Sequence, residues 1–291
     1  MRQPQNIIGI VCDFDKTLSP HTMHEDTIFP YLGIPHNEFW NAVNSLVKDR
    51  YYESELAWMK LLLEREDFQK LSNEDLRNMG LSLTYYPGIP DFFNELSNII
   101  EIQKYQEYAI EIEYYVITSG LREILEGSNI KPYVKTIFGS EYDESESGKL
   151  QFPKRAIGHT QKTQYLFRIN KGYLDLQDDV NDHLPEEERR IPFNNMIYIG
   201  DGPTDVPCFS VISQNGGHTL AVYDPLDQSS FNKCMQLQRS SRVDFIAEAN
   251  YQANTHLWRW LSYTVLQIAD QIILDSNERQ KETGLIPAPN H

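Results

Sequence analysis

The apolar run Ile7-Ile8-Gly9-Ile10-Val11-Cys12 passes without interruption into Asp13. It is rich in β-branched residues and shows no polar alternation, so it reads as a strand buried on both faces, as in a parallel sheet. Similar runs lie at 114–118, 134–138, 196–199 and 218–223, and each leads closely into Gly, Ser, Asp or Pro. Helical patterns separate several of them. That alternation predicts an α/β fold built on a parallel sheet.

One stretch breaks the alternation. Between about 19 and 86 there is no convincing strand, but Phe39, Trp40, Val43, Leu46 and Val47 share one helical face, and Leu56, Met59 and Leu63 share another. Ser72-Asn73-Glu74-Asp75 opens a third short helix with capping chemistry. The segment therefore reads as an all-α helical domain, 19–86, inserted after the first strand. Residues 1–18 and 87–240 form the discontinuous core, and 241–291 form a helical extension. In that extension Leu257, Leu261, Val265, Ile268 and Ile272 make a stripe that packs on the domain itself or, alternatively, on a second copy, so the chain is expected to be a monomer or a homodimer. The acidic stretches 141–146 and 175–188 read as solvated connections.

Charge narrows the partners. Acidic residues outnumber basic ones by 42 to 26, for a net charge of −16. Such a surface repels nucleic acid backbones and anionic membranes, so neither is an expected partner. The apolar run before Asp13 is too short for a signal-peptide core or a membrane span, and Cys12, Cys208 and Cys234 cannot pair evenly. The chain reads as cytoplasmic.

Four constellations carry chemistry. Asp13-Phe14-Asp15-Lys16-Thr17 follows the first strand, and two carboxylates spaced i, i+2 above a strand's carboxyl end can divide nucleophilic attack from proton transfer. Alone it is weak, since Asp-x-Asp-x-Thr arises by chance in roughly one chain in thirty of this length. Thr118-Ser119-Gly120 ends another strand with a hydroxyl and small residues that let backbone N–H groups approach a phosphate; alone it is equally a turn before a helix. Gly200-Asp201-Gly202-Pro203-Thr204-Asp205 puts two further carboxylates on a tight turn, which suits Mg²⁺. Lys162 stands near the start of a helix, capped by Thr160, where a cation fails to complement the helix dipole; a binding role would account for that, though Lys154 or Lys171 could fill the post.

In this order and context the motifs resemble the haloacid dehalogenase superfamily, most closely its phosphoserine phosphatase-like branch. The likeness covers Ile7 to about Asp224. It implies a Rossmann-like core with a helical cap and a Mg²⁺-dependent phosphatase acting on a small phosphorylated metabolite. By position, Asp13 would be the nucleophile and Asp15 the general acid and base. Asp13, the Asp15 carbonyl, Asp201 and Asp205 would hold Mg²⁺, while Thr118, Ser119, Gly120 and Lys162 would hold the phosphoryl oxygens. A phosphomutase or phosphotransferase of the same superfamily, or a non-catalytic phospho-ligand binding module, is the alternative.

The resemblance fails in one place. Phosphoserine phosphatase carries an acidic residue shortly after the first motif, and the matching position here is about Thr22, with Glu25 following. Thr22 and Glu25 are therefore expected to touch the leaving group, with Arg50 as a further candidate, and phosphoserine itself is in doubt. Glu25 and Asp26 could equally just start a helix. His21 and His24 are spaced i, i+3, but lack a third ligand for zinc.

Overall fold

The computed structural model describes residues 3–282. Seven strands form one sheet: β1 (Ile7–Cys12), β2 (Glu111–Leu121), β3 (Val134–Glu144), β4 (Leu150–Arg155), β5 (Met196–Gly200), β6 (His218–Tyr223) and β7 (Phe245–Glu248). Their spatial order is β4-β3-β2-β1-β5-β6-β7. All neighbours run parallel except β3 and β4, an antiparallel pair at one edge. The predicted α/β class with a mostly parallel sheet is what the chain adopts. From β1 the chain first builds outward through β2, β3 and β4, then returns to the other side of β1 with β5. Strand order thus reverses at β1, and a crevice opens above the carboxyl ends of β1 and β5 at that switch point.

The central strands are apolar on both faces because both faces are covered. Ile8, Ile10 and Cys12 join one buried cluster, while Val11 packs with Tyr115, Ile117 and Tyr198 on the other side. Between β1 and β2 the regular elements of the described chain are all helices joined by loops, the longest being His36–Arg50 and Ser54–Leu63. The part from 19 to 85 leaves and returns at one point, where Tyr86 N–H donates to Leu18 O at 3.0 Å. The inward face of Ser54–Leu63 consists of Glu55, Ala57, Trp58, Met59 and Leu62. Met59 is buried as expected and Leu63 packs against the core, but Leu56 is 40% exposed and the acid Glu55 takes an inward place instead.

Two further expectations need correction. The stretch 141–146 is not a solvated connection: β3 runs through Glu144, and Glu141 is buried under Arg122 and Arg155, whose Nη1 atoms lie 3.0 and 2.7 Å from its Oε1. The hairpin it forms props the inserted helices, with Tyr142 Oη donating to Met59 O at 2.9 Å. The chain after 240 is also not helical alone. It first supplies β7, paired to β6, because Phe245-Ile246-Ala247 is a short apolar run that caps an otherwise open edge. The helix His256–Glu282 follows, and its stripe from Leu257 to Ile272 is buried in the same cluster as β1. Residues 283–291 of the expected extension lie outside the described residues.

Candidate active site

Asp13 leaves β1 in the crevice. Its N–H continues the ladder to Ile199 O at 2.9 Å, and its Oδ1 accepts from Phe14 N–H at 2.8 Å. The chain then folds tightly, with the N–H groups of Thr17, Leu18 and Ser19 all donating to Phe14 O at 2.9–3.2 Å. Lys16 takes the left-handed backbone region (φ 62°) to make this possible, an uncommon state for a residue with a side chain. Tyr251 Oη donates to Thr17 O at 2.9 Å, so the chain beyond β7 braces this loop from below.

Lys162 is the first residue of the helix Lys162–Lys171, and it is almost fully buried. Its Nζ lies 2.9 Å from Asp13 Oδ2 and 2.9 Å from Asp205 Oδ1. The helix is capped by Gln161 rather than the expected Thr160, without a side-chain cap bond. Asp205 also accepts from Tyr198 Oη at 2.8 Å through Oδ1, and from Asp201 N–H at 3.1 Å through Oδ2. Gly200 makes room for this arrangement, since a Cβ there would stand 2.5 Å from Asp205 Cγ.

Carboxylate oxygens of Asp13, Asp201 and Asp205 lie within 4.8 Å of one another. Burial pulls the Lys162 ammonium down, but the Asp13 and Asp205 charges more than offset this, and the lysine stays charged. One ammonium serves several carboxylates. Burial therefore holds Asp13 above its ordinary range, at about 6, despite Lys162, and Asp201 is pushed up as well by burial and by Asp205. Hard oxygen donors carrying uncompensated negative charge are a fit for a divalent cation such as Mg²⁺.

Asp15 points elsewhere. Its Oδ1 accepts from Met23 N–H at 2.8 Å, beside the inserted helices, and burial with the Asp13 charge raises its carboxyl to about 7. Ser119 and Gly120 line the same cavity as Asp13, Asp15, Lys162 and Asp201. Thr118 is fully buried beneath, and its hydroxyl oxygen accepts from Gly120 N–H at 3.0 Å. A Cβ at Gly120 would lie 2.4 Å from Met23 Cε, so any side chain there would have to displace the methionine.

The expected substrate contacts divide. Thr22 lines the cavity, and its hydroxyl has no hydrogen-bond partner. Glu25 does not reach it. Its carboxylate accepts from Thr22 N–H at 2.9 Å and pairs with His36 Nε2 at 2.5 Å, facing a separate surface groove. Glu25 is a helix-start residue, as its place in the first turn allows. Arg50 is also elsewhere, with its guanidinium over the Tyr52 ring at 5.6 Å. His21 pairs with Asp26, whereas His24 turns inward to the cavity.

His24, from the stretch after the first motif, forms the cavity's other wall together with Trp40, Ser54, Glu55 and Trp58, which sequence reasoning missed. The available signal was Glu55 three residues before Trp58, an acid on an otherwise apolar helical face.

No known protein-family profile matches the chain. An uncharacterised protein of Borreliella burgdorferi is 32% identical over 287 residues, spanning 90% of this chain and 97% of the other. The two proteins belong to one family. Among solved structures, a HAD-family hydrolase from Salmonella enterica serovar Typhi superposes with a TM-score of 0.54 at 13% identity, covering 85% of this chain and 69% of its own. A substrate-bound phosphoserine phosphatase gives 0.54 at 16% identity, over 88% and 97%. A phospho-aspartyl intermediate analogue of phosphoserine phosphatase gives 0.53 at 16% identity, over 89% and 99%.

The chain has the haloacid dehalogenase fold. The acidic cluster sits at the switch point of the sheet, and the helical segment after β1 forms the cavity's outer wall. No helix among the described residues is long and apolar enough to cross a membrane.

Proposed function

We propose that this protein is a Mg²⁺-dependent phosphatase that hydrolyses a small phosphomonoester through an aspartyl-phosphate on Asp13. The observation that carries this reading is the single buried Lys162 ammonium set 2.9 Å from both Asp13 and Asp205 at the floor of a small cavity. An anionic nucleophile can approach an anionic phosphoryl group only where cations offset the repulsion, and such preorganised charge also stabilises the transition state.

Asp13, Asp201 and Asp205, with the Asp15 carbonyl, would hold Mg²⁺. When bound, the ion supplies charge neutralisation and orientation of the phosphoryl oxygens. Asp13 Oδ attacks phosphorus and the ester oxygen departs. Asp15, held toward the inserted helices by Met23 N–H, gives that oxygen its proton and then takes one from the water that hydrolyses the acyl phosphate. A carboxyl raised to about 7 can be protonated for the first step and ionised for the second. Lys162 and the Ser119 N–H would hold the transferring oxygens, while Gly120 N–H is taken by the Thr118 hydroxyl. The cavity, of about 240 Å³, is below the usual range for drug-sized ligands and favours a small ester.

The test is hydrolysis of para-nitrophenyl phosphate with Mg²⁺, with chelator, and by the Asp13→Asn variant. Metal-dependent turnover that the variant loses supports the reading. Turnover retained by Asp13→Asn ends the nucleophile assignment.

A further inference from the structure

Glu55 is the unexplained group of the cavity. It is 7% exposed and lines the same space as Asp13 and Lys162, yet no cation and no hydrogen-bond donor among the described residues meets its carboxylate. Its side chain shares the space above Gly158 with that of Gln161, but no hydrogen bond joins them. The Glu55 carboxylate thus opens on the cavity without a protein partner, and a cation entering that space is the partner its charge favours.

A second, independent observation lies beside it. His24 is 2% exposed, and neither ring nitrogen has a partner. Trp58 and Trp40 stand edge-on to it, with ring centroids 4.6 and 5.6 Å away. The outer wall of the cavity therefore presents an unpaired carboxylate, two indoles and an imidazole. Burial lowers the His24 imidazole to about 4, so at neutral pH it adds no positive charge.

We infer that the leaving group of the substrate is a short alcohol bearing a cationic nitrogen, received by Glu55 and the Trp40 and Trp58 rings. This rests on the phosphatase reading and specifies its substrate class. A carboxylate beside aromatic rings is a recognition surface for ammonium and quaternary ammonium groups. A polyol could satisfy the hydrogen bonds, but it would leave the charge of Glu55 uncompensated in a cavity already rich in carboxylates. A nucleoside would exceed the space, and an anionic leaving group would meet Glu55 directly.

The experiment compares kcat/KM for esters matched in shape and differing in charge. 2-Aminoethyl phosphate is set against propyl phosphate, 2-(trimethylammonio)ethyl phosphate against 3,3-dimethylbutyl phosphate, and glycerol 3-phosphate serves as the polyol. At least one cationic ester is expected to exceed its neutral partner by ~10-fold or more, and Glu55→Gln to bring that ratio close to unity. The two pairs distinguish a primary amine from a quaternary one. Equal use of charged and neutral esters, a preference for the polyol, or a ratio that survives Glu55→Gln would overturn the inference.

In parallel, free ethanolamine and choline are titrated calorimetrically into the Mg²⁺-loaded protein, against propanol and 3,3-dimethylbutanol. If no ester, including para-nitrophenyl phosphate, is turned over, the phosphatase reading has failed. The present inference is then decided by this titration: saturable binding of a cationic alcohol that Glu55→Gln loses upholds it, and no preference over the neutral alcohols overturns it.

Discussion

Lys162 holds its Nζ 2.9 Å from Asp13 Oδ2, and both side chains are nearly sealed from solvent. The lysine comes from the first turn of a helix and the aspartate from the end of β1, so this contact joins two remote parts of the chain. Replacing Lys162 by Ala leaves Asp13 and Asp205 buried without their shared cation. We expect a loss of about 3–5 kcal/mol in urea unfolding of the metal-free protein. A loss below about 1 kcal/mol would mean that water already screens the pair.

Tyr198 offers a finer probe. Its hydroxyl donates to Asp205 Oδ1 at 2.8 Å from within the core, and Tyr198→Phe removes that donor while keeping the ring. Outer partners of metal-binding groups typically contribute 10–100-fold to affinity, so the Mg²⁺ concentration for half-activation should rise by ~10-fold or more. An unchanged metal requirement would show that Asp205 is positioned by Lys162 and Asp201 N–H alone.

Gly120 and Met23 couple the strand β2 to the inserted helices. Gly120→Ala puts a methyl group into Met23 and should cost about 1–3 kcal/mol. Met23→Ala should relieve most of that clash, giving a double-mutant coupling energy of about 1 kcal/mol or more. Additive effects would show that the two segments part easily.

His24 makes stability depend on acid. Its imidazole titrates at about 4 in the folded chain against 6.5 ordinarily, because burial disfavours the charged form. Between those values the unfolded chain binds a proton that the folded chain refuses. The contribution is complete above pH 6.5 and is lost as pH falls through 4, amounting to about 3 kcal/mol. Urea midpoints measured from pH 7 to 4 should fall less steeply for His24→Phe than for the parent chain. Parallel slopes would show that His24 opens to water before it titrates.

The sheet was legible because β1, β5 and β6 are buried on both faces and so read as unbroken apolar runs. The acidic turns after β1 and β5 were legible for the same reason, since each ends its run abruptly. β4 was not: Leu150-Gln151-Phe152-Pro153 is half exposed on a sheet edge and carries a proline. β7 escaped notice because four residues give too little pattern to read. Glu141 was misread as surface because sequence cannot show that Arg122 and Arg155 fold over it. The outer wall of the cavity was the least legible part. Glu25 and Glu55 are alike as letters, and only the packing of Ser54–Leu63 decides which one faces the cavity.

The placement of β1 in mid-sheet has a consequence for synthesis on the ribosome. The strand that carries Asp13 is made before β2, β3 and β4, whereas its neighbour β5 and the covering helix His256–Glu282 are made after them. Until they emerge, a wholly apolar strand has one open edge and an uncovered face, a state prone to association with other nascent chains. Lys162 and Asp201 arrive late as well, so a chain stalled before β5 would carry Asp13 and Asp15 without the complete acidic cluster. Synthesis of β5 and the turn after it is therefore the step that closes the edge of β1 and supplies Asp201 and Asp205, and the helix His256–Glu282 covers the strand's face later.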